Sequence, residues 1–162
     1  MAPGSLEPSE RVEAIEQIAR VPDTLREAVA DLSPEQLDTP YRSGGWTVRQ
    51  VVHHLPDSHL NAYTRFKLAL TEDIPTIRTY EEAIWAELPD AAGPIEPSLQ
   101  LLDALHSRWM YLLERVDGTG WKRRLQHPEV GEIGMDDLLA LYAWHGRHHV
   151  AHITTLREQR GW

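Results

Sequence analysis

Three stretches of this chain repeat apolar side chains at helical spacing, and no run alternates strongly enough to compete as a sheet. The first opens at Trp46-Thr47-Val48-Arg49-Gln50-Val51. There Thr47 can accept from the amide of Gln50, the Gln50 side chain can reach back, and Trp46 with Val51 can close a hydrophobic staple. The stripe continues through Val48, Val51, Leu55, Ala62, Phe66 and Ala69, predicting a helix to about Leu70. The second stretch, over 97–116, places Leu99, Leu102, Leu105, Trp109, Leu112, Leu113 and Val116 in register, and Gly118 is a natural stop. The last covers 135–159, with Leu138, Leu141, Tyr142 and Leu156 marking its buried side and Gly161 just past its end.

Residues 9–31 add a further helical segment, with Val12, Ile15, Ile18 and Ala19 on one face. Pro22 makes it either a kinked helix or two short helices in series. Ser33-Pro34-Glu35-Gln36 carries a capping box with proline at the first helical position and predicts one short turn. The prolines and glycine of 71–96 read as an extended connection with a short helix around Glu81–Leu88, and Trp121–Gly134 as a loop with a small hairpin. The expected fold is all-α, a four-helix bundle with long connections near 71–96 and 119–134. At 162 residues the chain suits one domain, 1–162, with 1–8 as a flexible N-terminus.

Composition removes several kinds of chemistry. There is no cysteine, so disulfides, thiolate-bound zinc and a cysteine nucleophile are excluded. The formal charge of −9 argues against nucleic acid and against a polybasic membrane contact. Met1 to Glu10 lacks the pattern of a secretory signal and no stretch is apolar enough to span a bilayer, so a cytoplasmic location is expected.

Histidine is the unusual residue. Of nine, His53, His54 and His59 fall on the helix predicted from Val48 to about Leu70, and His145, His148, His149 and His152 on the last; only His106 and His127 lie elsewhere. Residues four apart share one helix face, so His145/His149 and His148/His152 are both candidate chelating pairs. Measured against Leu138, Tyr142 and Leu156, the first pair points more directly inward, and His148 falls toward the edge. A third ligand should come from another helix, from His53 or His54. His54 flanks the stripe of Leu55, Ala62 and Phe66, whereas His53 lies nearer the solvated face, so His54 is chosen. Pro56 cannot donate to the Val52 carbonyl and should kink the helix beside it. The candidate site is one divalent metal on His54, His145 and His149, and three neutral donors leave it charged, with open positions. Imidazole suits zinc, nickel, iron and copper alike. Gly146 stands where an H-E-x-x-H protease needs its glutamate, which excludes that chemistry.

Gly45-Trp46-Thr47-Val48-Arg49-Gln50-Val51-Val52-His53-His54-Leu55 with Asp57-Ser58-His59, and Tyr142-Ala143-Trp144-His145-Gly146-Arg147-His148-His149-Val150-Ala151-His152-Ile153, resemble the DinB-like superfamily, and within it the YfiT-like metal-dependent hydrolases that include the bacillithiol S-transferases. The resemblance extends from about residue 11 to the C-terminus. It implies a four-helix bundle, often a homodimer, with one metal, zinc or nickel, on the residues that match the family's ligands: His54, His145 and His149. Where typical DinB-like proteins place Gly-Gln after the last ligand, this chain has Ala151-His152, as in the YfiT-like branch.

The implied reaction joins a small bacillithiol-like thiol to an electrophile, with the metal stabilising the thiolate. Hydrolysis by activated water is the alternative, and a non-catalytic binding bundle a third. No general base is evident beside the ligands, which favours transfer. Asp57, His59 and His148 are candidates to orient a ligand or move a proton. Trp85 is a candidate for a pocket mouth, and Arg42 and Arg49 for contacts to an acidic thiol.

Overall fold

The computed structural model describes residues 5–162. Among the described residues there are seven α-helices and one hairpin: α1 (Pro8–Ala19), α2 (Val21–Val29), α3 (Pro34–Leu37), α4 (Val48–Thr71), α5 (Glu82–Trp85), α6 (Glu96–Leu113), β1 (Arg124–His127), β2 (Gly131–Gly134) and α7 (Met135–Arg160). Pro22 resolves the first segment into two helices in series, α1 and α2. Both expected capping boxes form: the Ser33 hydroxyl accepts from the Gln36 amide and the Thr47 hydroxyl from that of Gln50, with each glutamine side chain bonding back. The α4 helix is continuous through Pro56. Gly161, with φ of 68°, ends α7 in the left-handed conformation that glycine adopts without strain.

The architecture is a four-helix bundle in which α1/α2 act together as one member. They pack against α6 and α7, and α4 packs against the same two helices. Chain order therefore crosses the bundle diagonally twice, from α2 to α4 and from α6 to α7. The second crossing uses the antiparallel β1–β2 hairpin, which pairs Arg124 with Gly134 and His127 with Gly131. The connection after α4 contains α5, shorter than the expected Glu81–Leu88, and a 3-10 turn at Pro89–Ala92.

The apolar interior is split into two clusters. One gathers Ala14, Ile18, Ala62, Phe66, Trp109, Leu138 and Tyr142; the other gathers Val21, Leu25, Val51, Leu55, Leu102, Val150 and Ile153. On every long helix the boundary between the clusters falls at the histidines: 54–59 on α4, 106 on α6 and 145–149 on α7. A polar layer thus crosses the middle of the bundle.

Several expected faces shift. Val12 and Ala19 are exposed; Ile18 of the expected face is buried, Ile15 packs against the core, and Ala14 joins them. Leu141 is also exposed, with Leu139 taking its place in the core. Both helices otherwise keep the expected face, with Leu138, Tyr142 and Leu156 of α7 and Ile18 of α1 buried, and the differences fall at its margins, where two neighbours rather than one are packed against. Residues 1–4 of the stretch expected to be flexible lie outside the described residues. Beyond them the Leu6 amide donates to Asp136 Oδ2 at 3.0 Å and Glu7 caps α1. Among the described residues no helix is long and apolar enough to cross a membrane.

Candidate metal centre

His54 on α4 and His145 and His149 on α7 converge in the polar layer. Each offers one ring nitrogen, and these three atoms all lie within 4.8 Å of one another. The Nε2 atoms of His54 and His145 are 3.3 Å apart, and Ser58 Oγ lies 3.4 Å from the same His145 nitrogen. Trp46, held by the α4 cap, sets its ring 4.7 Å from that of His54 and closes one side.

Burial favours uncharged imidazoles here. It lowers His54 to about 4, His145 to about 3 and His149 to about 2, with the neighbouring imidazoles adding to the effect for the last two. All three are therefore free bases at neutral pH, as metal ligands must be. His149 Nδ1 is buried without a hydrogen-bond partner. A donor set of three neutral imidazoles, no carboxylate among them and one ring nitrogen unpartnered, fits a divalent cation with open positions.

The other nominated residues separate. His59 is fully buried, and its Nε2 lies 3.3 Å from His145 Nδ1, in direct contact with a candidate ligand. Asp57 makes no hydrogen bond to the three imidazoles; it faces a small recess shared with His53, His54, Tyr80, Glu82 and Trp85, where burial and Asp90 push its carboxyl up to about 6. His148 stacks on Trp144 at 4.4 Å and meets the ring of His149 edge-on at 5.5 Å, a packing contact. His53 is not on a solvated face. It is buried beneath the connection before α6, with Nδ1 2.7 Å from Ser98 Oγ and Nε2–H donating to the Gly93 carbonyl at 3.1 Å. The long connection, invisible to a single-helix projection, covers that side of α4. Arg49 is taken up by Asp38 at 2.6 Å and the Gly93 carbonyl, and Arg42 lies over the Tyr41 ring.

Beside His145 opens a groove of ≈ 370 Å³ whose walls include Ser58, Arg65, Tyr80, Glu82 and Tyr142. Arg65 donates to the Tyr142 hydroxyl at 3.1 Å, and the Tyr80 hydroxyl is buried without a partner. A larger opening of ≈ 520 Å³ around Arg11 and Trp121 has none of the three imidazoles on its walls. Sequence reasoning missed Arg65, Tyr80 and Tyr142 as groove residues, because the connection that carries Tyr80 has no periodicity to place it. It also missed His106. That residue follows Leu99 and Leu102 and precedes Trp109 on the α6 stripe, so a histidine among core positions was the available signal.

Comparison with known proteins bears on the family and the fold. The family model described as the DinB superfamily matches residues 17–153. A Bacillus mycoides protein named "Putative metal-dependent hydrolase" is 55% identical over 148 residues, 91% of this chain and 86% of that protein. A Bacillus cereus protein of the same name matches with the same identity and coverage. Among solved structures, YfiT from Bacillus subtilis, described as "a probable metal-dependent hydrolase with an unusual four-helix bundle topology", superposes with a TM-score of 0.96 at 46% identity, covering 100% of this chain and 94% of that one. TT2238, a four-helix bundle protein, gives a TM-score of 0.57 at 21% identity, a likeness of fold alone, over 90% of this chain and 98% of that one.

Proposed function

The chain belongs to the DinB superfamily, and from that premise we propose that it is a metal-dependent enzyme acting on small molecules, with one divalent cation, zinc or nickel, held by His54, His145 and His149. The convergence of three uncharged ring nitrogens, with no carboxylate among them, carries this reading. A cation so held supplies Lewis acidity, lowering the pKa of an incoming thiol or water.

We propose thiol transfer as the reaction: a bacillithiol-like thiol gives up its proton to solvent and its thiolate sulfur attacks an electrophilic carbon. The S–C bond forms as the bond from that carbon to its leaving group, or to an epoxide oxygen that then takes up a proton, breaks with its electron pair. The groove beside His145 offers Arg65 for an anionic group on the thiol and the Tyr80 hydroxyl as a hydrogen-bond donor to the electrophile. Trp46, with its ring 4.7 Å from that of His54, covers another side of the three imidazoles. Hydrolysis is the second reading. The relatives' names favour it, and so does Asp57, whose carboxyl at about 6 is matched to accepting a proton near neutrality. One domain, a homodimer and a cytoplasmic location complete the proposal.

Metal-loaded protein incubated with a chromogenic electrophile, with and without a low-molecular-weight thiol, tests the reaction. Product that requires the thiol supports transfer, and equal turnover without it replaces transfer by hydrolysis. No turnover in either case would leave a binding protein and overturn the enzymatic reading.

A further inference from the structure

One group from each member of the bundle joins a single line of hydrogen bonds through the polar layer. It runs from His145 on α7 to His59 on α4, to His106 on α6, and ends at the Ile18 carbonyl of α1. The links are His145 Nδ1 to His59 Nε2 at 3.3 Å, His59 Nδ1 to His106 Nε2 at 2.8 Å, and His106 Nδ1 to the Ile18 oxygen at 3.0 Å. His59 and His106 are 0% and 2% exposed, so no solvent intervenes.

The last link sets the sense of all the others. A carbonyl oxygen can only accept, so His106 must carry its proton on Nδ1. An uncharged His106 then presents a lone pair at Nε2, which requires His59 to donate from Nδ1. By the same step His59 Nε2 accepts, and His145 donates from Nδ1. The remaining nitrogen of His145, Nε2, is left as a bare lone pair, and it is the one 3.3 Å from His54 Nε2 in the candidate centre.

The Ile18 carbonyl is available because of the sequence. Its usual helical donor would be the amide of residue 22, and Pro22 has none. The same proline divides α1 from α2 and leaves that oxygen facing α6. A carbonyl cannot pass a proton on, so the line has a closed end and cannot work as a proton relay.

We propose that His59 and His106 are positioning residues: with the Ile18 carbonyl freed by Pro22, they fix the tautomer of His145 and hold its Nε2 lone pair toward the cation. This rests on the metal-centre reading above. Neither ring touches substrate or cation; each acts through His145.

Nitrogen-15 histidine NMR on the metal-free and zinc-loaded protein tests the tautomers, and zinc affinity against a chromophoric chelator tests their effect. The expected spectra show Nδ1–H, uncharged rings for His59, His106 and His145 in both states. His106→Leu is expected to weaken zinc binding by about 10- to 100-fold, with circular dichroism reporting the fold. His106→Gln, which keeps a donor and an acceptor, is expected to recover most of that loss. An Nε2–H tautomer or a charged ring at His59 or His106 overturns the inference. So does unchanged zinc affinity in His106→Leu, or an equal loss in both variants, which would mean packing alone. If unaltered protein shows the expected tautomers yet takes up no zinc, the metal reading fails instead, and the line of hydrogen bonds stands without that role.

Discussion

Gly146 of α7 packs directly on Val21 at the α1–α2 junction: a Cβ on Gly146 would stand 2.4 Å from Val21 Cγ2, and 3.4 Å from His59 Cε1. The glycine between two candidate ligands, His145 and His149, is what lets α7 approach the first bundle member closely enough for the polar layer to close. Alanine at an exposed helix position would gain about 1 kcal/mol over glycine. Here the overlap reverses that, since forced contacts in a packed core cost about 1–3 kcal/mol.

Gly146→Ala is therefore predicted to lower stability by about 1–2 kcal/mol, and Val21→Ala in the same chain to restore part of it. Urea unfolding of the two single variants and the double variant measures the coupling. Additive effects, or a stabilised Gly146→Ala, would contradict the close approach.

Acid should destabilise the metal-free protein early. Burial depresses His54 and His106 to about 4 and His145 to about 3, against 6.5 for a free imidazole. Between those values the unfolded chain binds protons that the folded chain refuses, so stability is complete above 6.5 and falls as pH drops toward the folded values. Each ring that remains neutral contributes about 1.4 kcal/mol per pH unit to that slope. Denaturant midpoints at a series of pH values check it, and a flat profile down to about 4 would contradict the buried, uncharged layer.

Asp136, buried at the start of α7, is held by Arg11 through Nε at 2.7 Å and Nη2 at 2.9 Å, and by the Leu6 amide at 3.0 Å. Arg11→Met would leave a buried carboxylate with one donor. Removing one partner of a buried pair costs about 3–5 kcal/mol, and less where the partner is partly wet as Arg11 is, so about 2 kcal/mol is expected. Asp136→Asn should cost less, because the amide needs no countercharge. Thermal unfolding orders the two, and equal effects would contradict the ion pair.

The four long segments and their caps were legible because each rule involved is local: Thr47 with Gln50, Ser33 with Gln36, and Gly161 at a helix end. The three converging histidines were legible for a similar reason, as i, i+4 spacing on α7 and the apolar stripe on α4 both project onto one face. What escaped depends on a second or third neighbour. His53 projects outward on α4 alone, yet the distant 93–98 stretch buries it. Leu141 projects inward on α7 alone, yet its helix turns Leu139 to the core instead. His106 stands on the α6 stripe, yet its acceptor, the Ile18 carbonyl left without a helical donor by Pro22, is far off in sequence.

The proposal as a whole turns on three imidazoles holding one ion. Elemental analysis of purified protein and of four variants tests this most directly. One equivalent of divalent metal is predicted in unaltered protein and in His53→Ala, whose ring is engaged by Ser98 and Gly93, and none in His54→Ala, His145→Ala or His149→Ala. Metal content unchanged in the last three, or lost equally in His53→Ala, would contradict it.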